Sequence, residues 1–274
     1  MTTIGVAMVR DEADIIEATT RNMARQADHV IVADNRSVDG TREILEELAG
    51  ELPLTVIDDP EPAYLQSEKM TRLAMMAGGM GADWVIPWDA DEWWCSHFGR
   101  LGDILADIGP GMMCAEAELW DHVPTGMDAA TETCPTKRMG WRRAHPLPLP
   151  KVACRWRPDL VIHQGNHGAS YGGVVAASVP KCLTVHHYPY RSAEQFIRKV
   201  RNGAEAYRAA GKRLPVDHGA HWRQWGVILA EAGEAEVVEN IYKKWFFRRV
   251  PWETIVIEGE RQEPLVADPV WAGV

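Results

Sequence analysis

No apolar run in this chain approaches the ~20 residues needed to cross a bilayer. Its first residues, Met1-Thr2-Thr3-Ile4, hold no basic stretch leading into an apolar one. Both absences point away from a membrane-spanning or secreted protein, and no signal peptide is expected. Cysteine is sparse: Cys95, Cys114, Cys134, Cys154 and Cys182 are odd in number and nowhere spaced Cys-x-x-Cys. That pattern argues against a disulfide framework or a zinc site and implies reduced thiols in a cytoplasmic setting. Neither an internal repeat nor a low-complexity linker interrupts the 274 residues, so one continuous domain is the economical expectation.

The balance that remains is that of an ordinary globular protein, with 46% apolar and 25% charged residues, and a chain long enough to bury a substantial core. The net charge of -10 is unevenly spread. Residues 1–60 carry 13 acidic and 5 basic side chains, whereas Lys137, Arg138, Arg142, Arg143, Lys151, Arg155 and Arg157 form a block with no acid among them. A second basic stretch runs from Arg191 to Arg213. Such blocks suit phosphates of a nucleotide or a nucleic-acid backbone, or equally a solvated surface; the overall acidity speaks against a protein that coats DNA.

Strand and helix signals alternate through the first half. Ile4–Val9, His29–Ala33, Leu54–Ile57 and Trp84–Trp88 read as strands. Helices are expected over Asp11–Ala24, with Asp11 as N-cap, over Thr41–Ala49, stopped by Gly50, and over Ser67–Ala77. Pro87 lacks a backbone donor and should mark the end of its ladder. Strands joined by short helices imply β-α-β units and a largely parallel sheet. From residue 110 to 190, proline and glycine predict shaped loops around short strands. Ser192, with Gln195 three residues on, should open a helix running to Ala210. Further helices are expected over Ala220–Ala232 and Glu234–Phe247, and the last 25 residues should wrap the surface. The chain is thus divided as 1–110, 111–190 and 191–274.

The most telling motif closes the fourth strand, where Asp89-Ala90-Asp91-Glu92 follows Ala82-Asp83-Trp84-Val85-Ile86-Pro87-Trp88. Residues i and i+2 of extended chain point the same way, roughly 6.5–7 Å apart, so Asp89 and Asp91 can converge while Ala90 turns away. Mg²⁺ or Mn²⁺ prefers hard oxygen ligands and often takes only one or two carboxylates, leaving positions for water and substrate phosphates. Alone, the triplet also fits a solvated acidic loop. A second loop, Asp34-Asn35-Arg36-Ser37-Val38-Asp39-Gly40-Thr41, ends the second strand. It offers a carboxylate and backbone N–H groups to a base or ribose, or forms an Asx-type turn with an N-cap. Ligands of parallel sheets bind beyond the carboxyl ends of the strands, so both loops should open into one crevice.

These two stretches, with Val9-Arg10-Asp11-Glu12-Ala13-Asp14 and His186-His187-Tyr188-Pro189-Tyr190-Arg191-Ser192, resemble the family 2 glycosyltransferases of GT-A fold, especially their compact, soluble bacterial and phage branch. The resemblance implies an α/β protein of GT-A type, with a Rossmann-like, mostly parallel central sheet flanked by helices and a helical C-terminal region. It implies transfer of one sugar from a nucleotide-diphosphate sugar, UDP by default, to a hydroxyl acceptor with inversion, dependent on Mn²⁺ or Mg²⁺. Asp34 and Asn35 would contact the base or ribose, and Val9, Arg10 and Glu12 would line the same pocket. Asp89, Ala90 and Asp91 would engage ribose, metal and diphosphate, with Asp89 and Asp91 as metal ligands. The family usually carries Asn where this chain has Asp11. His187 or His186 is the candidate for a further metal ligand.

Lys69, Arg72 and Arg191 are candidates to stabilise the departing diphosphate. The acceptor needs a general base, for which Asp121 is the first candidate, followed by Glu118 and His167. His163 and His167 are four residues apart, but the glycines of Val161–Gly168 oppose a shared helical face, so this segment is expected to be an acceptor-side loop. Trp88, Trp93 and Trp94 either wall the pocket or, more ordinarily, pack the core. The Gln-x-x-Arg-Trp signature of processive synthases is absent, which favours a single addition. Two alternatives stand beside this reading: a metal-dependent phosphohydrolase and a non-catalytic nucleotide-sugar binding module. Haloacid-dehalogenase-like enzymes carry Asp-x-Asp-x-Thr/Val after the first strand, whereas here Trp93 fills the last position after the fourth. The acceptor is left open between a glycan, a small molecule, a protein and a hydroxylated DNA base, and nothing points to an oligomeric state.

Overall fold

Apolar β-branched runs, each followed by a stretch of helical period, fold the first half into β-α-β units. The computed structural model describes residues 1–268. The strands begin with β1 (Thr3–Val9), β2 (His29–Asp34), β3 (Leu54–Asp58), β4 (Trp84–Pro87), β5 (Glu92–Cys95) and β6 (Cys114–Asp121). Helices α1 (Ile16–Gln26), α2 (Thr41–Ala49) and α3 (Gln66–Gly79) join the first four, and α4 (Leu101–Asp107) precedes β6. Then come α5 (Pro135–Arg138), β7 (Trp141–Arg142), β8 (Lys151–Arg155), β9 (Leu160–Ile162), β10 (Ala169–Tyr171), β11 (Val174–Val175) and β12 (Ser178–His187). The remainder forms α6 (Ala193–Ala210), α7 (Ala220–Ala232), α8 (Glu234–Val237), a π-helical segment Val238–Phe246, and the short strands β13 (Ile255–Ile257), β14 (Glu260–Gln262) and β15 (Val266–Ala267).

The chain forms two units. The first comprises Met1–Pro60, Leu65–Trp120 and Pro146–His187. Among the described residues its main sheet has the order β3-β2-β1-β4-β8-β6-β12-β5. The β3-β2-β1-β4 portion is parallel, as the β-α-β pattern predicts, and β8 continues it antiparallel to both β4 and β6. Side chains alternate across this sheet. Val30, Val32 and Ile86 pack toward Ile16 and Met23 of α1 and Leu45 and Leu48 of α2. Ile31, Ala33 and Val85 pack toward Met70, Leu73, Ala74 and Ala77 of α3. Each fully buried valine, leucine, isoleucine or methionine here stabilises the fold by about 1.5–3 kcal/mol before entropy is counted. Gly5 lets α1 approach β1 closely, since a Cβ there would lie 2.6 Å from Met23 Cγ.

Helix α1 starts five residues later than the capping pattern predicts. Asp11 does not cap it. Its backbone is left-handed, with φ 55, and its carboxylate accepts the Val38 N–H at 2.7 Å. The Asp11 N–H donates to Ser37 Oγ, that of Glu12 to Thr41 Oγ1 and that of Ala13 to Asp39 Oδ2. The segment after β1 is therefore stitched to the loop after β2, and a helical turn at Asp11 would break those bonds.

The second unit comprises Glu61–Tyr64, Asp121–His145 and Tyr188–Val274. Ser192 caps α6 as expected, its Oγ accepting the Gln195 N–H at 3.1 Å. The returning bond of the capping box goes one residue further, from the Arg191 N–H to Gln195 Oε1. Phe196, Val200, Val237, Ile241 and Tyr242 form its core. In the tail, β15 pairs with β7; residues 269–274 of the expected surface-wrapping segment lie outside the described residues. No helix among the described residues is long and apolar enough to cross a membrane.

Candidate active site

Strand register brings the first cluster together. Val9 stands opposite Asp34, and Asp34 opposite Asp58, so three parallel strands finish at one edge. Beyond that edge Asp34, Arg36, Asp58, Asp59 and Pro60 line a cleft of about 440 Å³. Asp34 is 6% exposed; its Oδ2 accepts the Ser37 N–H at 3.3 Å, and its Oδ1 has no hydrogen-bond partner among the described residues. A buried carboxylate oxygen without a donor is costly, and a ligand N–H or O–H would satisfy it. Beside it Asp59 receives Lys69 Nζ at 2.6 Å and Asn35 Nδ2 at 3.0 Å on Oδ2, with Arg72 Nη2 3.6 Å from Oδ1.

The second cluster is the acidic turn between β4 and β5. Polar side chains buried on α1 hold it: Thr19 Oγ1 donates to the Ala90 carbonyl at 2.7 Å, and Asn22 Oδ1 accepts the Trp94 N–H at 3.0 Å. Glu92 is fully buried and staples the turn from inside, its Oε2 accepting the Asp89 N–H at 3.1 Å and Trp94 Nε1 at 3.0 Å. Trp88 and Trp94 are core residues, as their ordinary reading predicts.

Asp89 and Asp91 have different surroundings. Asp89 Oδ1 accepts Gln66 Nε2 at 3.0 Å and Asn166 Nδ2 at 3.1 Å, and its Oδ2 accepts Lys151 Nζ at 2.6 Å. Asp91 is 4% exposed, with its Oδ1 3.6 Å from His187 Nε2. That histidine arrives by strand pairing, because β12 runs antiparallel to β5 with His187 opposite Glu92 and His186 opposite Trp93. Neighbouring strand residues face opposite sides, so His186 is directed away from the side His187 occupies.

Lys151 penetrates the same cluster. Its Nζ also lies 2.7 Å from Glu92 Oε1 and 2.9 Å from the Gly165 carbonyl. Burial alone would lower its pKa, but the charges of Asp89 and Glu92 outweigh that penalty and hold it above the ordinary lysine value. Burial raises the Glu92 pKa, against the opposing charge of Lys151. His167 donates or accepts through Nδ1 at 2.8 Å from the Pro150 carbonyl; since a carbonyl only accepts, Nδ1 carries the proton and Nε2 keeps its lone pair. Burial, then the charge of Lys151, lowers the His167 pKa below the ordinary imidazole value.

The remaining expected residues have their own surroundings. Lys69 is buried against Asp59, while the Arg72 side chain is 54% exposed. Arg10 Nε lies 3.8 Å from Asp11 Oδ2, and Glu12 is buried at the start of the α1 approach. Glu118 stands 3.4 Å from Lys181. Asp121 and Arg191 fall in the second unit: Asp121 lies 3.7 Å from Arg143 Nε, and buried Arg191 donates from Nη1 to the Tyr188 carbonyl at 2.9 Å. Sequence reasoning overlooked Gln66, Glu92, Asn166 and the particular position of Lys151. The Asn166 backbone, left-handed at φ 58 and wholly buried, follows Gly165 at φ 77. Only the glycine next to it hinted at this tight loop.

Residues 6–113 match the sequence model described as Glycosyl transferase family 2. No curated protein matches the chain. Among solved structures it is similar to the mannosyltransferase PcManGT from Pyrobaculum calidifontis in complex with GDP-Man and Mn²⁺, at 14% identity over 89% of this chain and 82% of that one, with a TM-score of 0.43. It is also similar to S. aureus TarS 1-349, at 13% identity over 88% and 75% of the two chains, TM-score 0.41. The same protein in complex with UDP-GlcNAc gives 14% identity over 88% and 76%, TM-score 0.38. The matched stretch, residues 6–113, takes in most of β1, all of β2 to β5, the Asp34 loop and the acidic turn.

Proposed function

We propose that the protein is a divalent-metal-dependent glycosyltransferase that moves one sugar from a nucleoside-diphosphate sugar, a UDP-sugar by preference, to a hydroxyl acceptor with inversion. The observation that carries this reading is the pairing of Asp91 with His187 at the tip of β5, 3.6 Å apart, with Asp91 inside the stretch that matches the glycosyltransferase family model. Two neighbouring ligands of an octahedral Mg²⁺ or Mn²⁺ stand about 3 Å apart, so small side-chain movements would suffice for both to bind one ion. One carboxylate and one imidazole leave most of the coordination sphere to water and phosphate oxygens, which suits such a cation. His186, on the other side of the strand, is not part of this set.

The Asp34 cleft would take the nucleobase. Among the described residues no donor reaches one oxygen of Asp34, which matches the single imide N–H of uracil. Asn35 is held by Asp59, so it would shape this pocket, with Val9, Arg10 and Glu12 forming its β1 side. When bound, the divalent ion would neutralise the charge that develops on the departing diphosphate. Arg72, the more exposed of the two cations beside Asp59, would assist it better than buried Lys69.

Of the three general-base candidates, His167 has the charged groups of this cluster as its electrostatic neighbours. Its Nε2 would accept the proton of the acceptor hydroxyl as the oxygen attacks the anomeric carbon; the bond to the diphosphate breaks, and the nucleoside diphosphate leaves from the opposite face. Five free cysteines, Cys114 and Cys154 among them with sulfurs 3.8 Å apart, suit a reducing, cytoplasmic setting. The test is a screen of nucleotide sugars with Mn²⁺, read by donor hydrolysis and thermal stabilisation. A UDP-sugar should stabilise the protein only with metal and be slowly hydrolysed. Release of inorganic phosphate from simple phosphoesters, or metal-dependent binding with neither hydrolysis nor transfer, would contradict the proposal.

A further inference from the structure

Lys151 has no task in the reaction as drawn, yet it is closely engaged at the acidic turn. Its side chain is 5% exposed, and its ammonium contacts Asp89 at 2.6 Å, Glu92 at 2.7 Å and the Gly165 carbonyl at 2.9 Å. The amides of Gln66 and Asn166 converge on the other oxygen of Asp89. Three donors thus hold Asp89, while Asp91, two residues away, faces an imidazole. A cation binding directly to Asp89 would have to draw it from a buried ammonium. That would leave Lys151 charged with one partner fewer, a costly state in an interior.

We infer that Lys151 is a positioning residue: a built-in cation that ties Asp89 into the fold and leaves the divalent ion to Asp91 and His187. The two aspartates of the motif therefore divide their work, Asp89 shaping the turn and Asp91 gripping the metal. The Gly165 contact extends the same clamp to the loop at residues 163–168, so that one ammonium fixes the acidic turn and the neighbouring loop together. This inference rests on the metal-dependent reading of the site.

The experiment measures Mn²⁺ binding to the full chain in the presence of UDP, from the loss of the free-ion signal in electron paramagnetic resonance. Asp89→Asn, which keeps an oxygen for the two amides, should leave the affinity within about threefold of the unsubstituted protein, whereas Asp91→Asn should weaken it by about thirtyfold or more. Lys151→Met removes a positive charge and releases Asp89, so Mn²⁺ should bind about threefold or more tightly. A lysine that merely supports the fold predicts the opposite sign. Lys151→Arg should restore the original affinity within about threefold. Weaker binding in Lys151→Met, or equal losses in Asp89→Asn and Asp91→Asn, overturns the inference; the aspartate comparison decides it alone if Lys151→Met does not fold. Absence of Mn²⁺ binding by the unsubstituted protein, with and without UDP, would instead bring down the metal-dependent reading, and this inference with it.

Discussion

Asp34 and Asp89 make an instructive pair. Each is a carboxylate at the carboxyl end of a parallel strand, Asp34 as its last residue and Asp89 two residues past it, the kind of place where α/β proteins put ligand-binding groups. Asp34 retains an oxygen that no donor among the described residues reaches, at the wall of a cleft of about 440 Å³. Asp89 has both oxygens occupied, by two amides and an ammonium. One side chain is left poised for a ligand at the cost of an unsatisfied buried acceptor, and the other is fixed. Position at a strand end therefore does not by itself assign a binding role; the number of donors already aimed at the carboxylate does. Asp91, two residues on, has an imidazole at 3.6 Å where Asp89 has an ammonium at 2.6 Å.

The strongest way to break that contrast is Asp91→Asn. It should lower metal-dependent donor turnover by about 10²–10³-fold, read by donor hydrolysis at saturating Mn²⁺. Turnover close to that of the unsubstituted protein would remove Asp91 from the chemistry.

His167→Gln should lower kcat by about 10²-fold. Because burial depresses the His167 pKa, its imidazole is neutral at pH 7 and becomes protonated only as pH falls below the ordinary imidazole value. The acid limb of the kcat profile should therefore lie below pH ~6.5 and vanish in His167→Gln. A limb that persists in His167→Gln would remove His167 as the base.

Asp34→Asn sharpens the other side of the comparison. Replacing a charged acceptor by an amide should cost about 1.5–3 kcal/mol of donor binding, seen as a raised KM with kcat little changed. The same substitution should blunt any preference for UDP over other nucleoside diphosphates. The smallest effect belongs to Thr19→Val, which removes the α1 hydrogen bond to Ala90. A loss of about 1 kcal/mol in denaturant unfolding is expected, with the donor KM raised less than in Asp34→Asn.

Much of the scaffold was legible because it depends on local patterns. Helix α2 spans Thr41–Ala49, the bounds set by its periodicity and by Gly50, and α7 keeps its expected bounds of Ala220–Ala232. Strand β4 ends at Pro87, where the missing donor predicted it would. Helix α1 was misjudged at its start because Asp11 is claimed by the Ser37 hydroxyl and the Val38 N–H, 26 and 27 residues away, a competition invisible to a capping rule. The Glu234–Phe247 helix begins as α8 and continues as a π-helical segment, a change of hydrogen-bond register that periodicity alone does not reveal.

The site divides along the same line. Asp34, Asp89 and Asp91 could be found from strand ends and spacing. Strand β5 was overlooked because Glu92-Trp93-Trp94-Cys95 reads as an extension of the motif, yet its pairing with β12 is what delivers His187 and separates it from His186. Lys151 looked like one member of a basic run, although its carboxylate partners lie 62 and 59 residues earlier in the chain. The half-buried Arg155 of the same run is also engaged within the protein, its guanidinium 4.6 Å over the Trp84 ring. Charge in a sequence says little about which charges remain available to a ligand.

Diffraction at the manganese absorption edge, from crystals grown with UDP and Mn²⁺, tests the central claim most directly. The account predicts one anomalous peak about 2.1–2.3 Å from an Asp91 oxygen and from His187 Nε2, with the uracil ring in the Asp34 cleft and Lys151 still joined to Asp89. A peak coordinated by Asp89 with Asp91 unengaged, or UDP bound away from the Asp34 cleft, would contradict it.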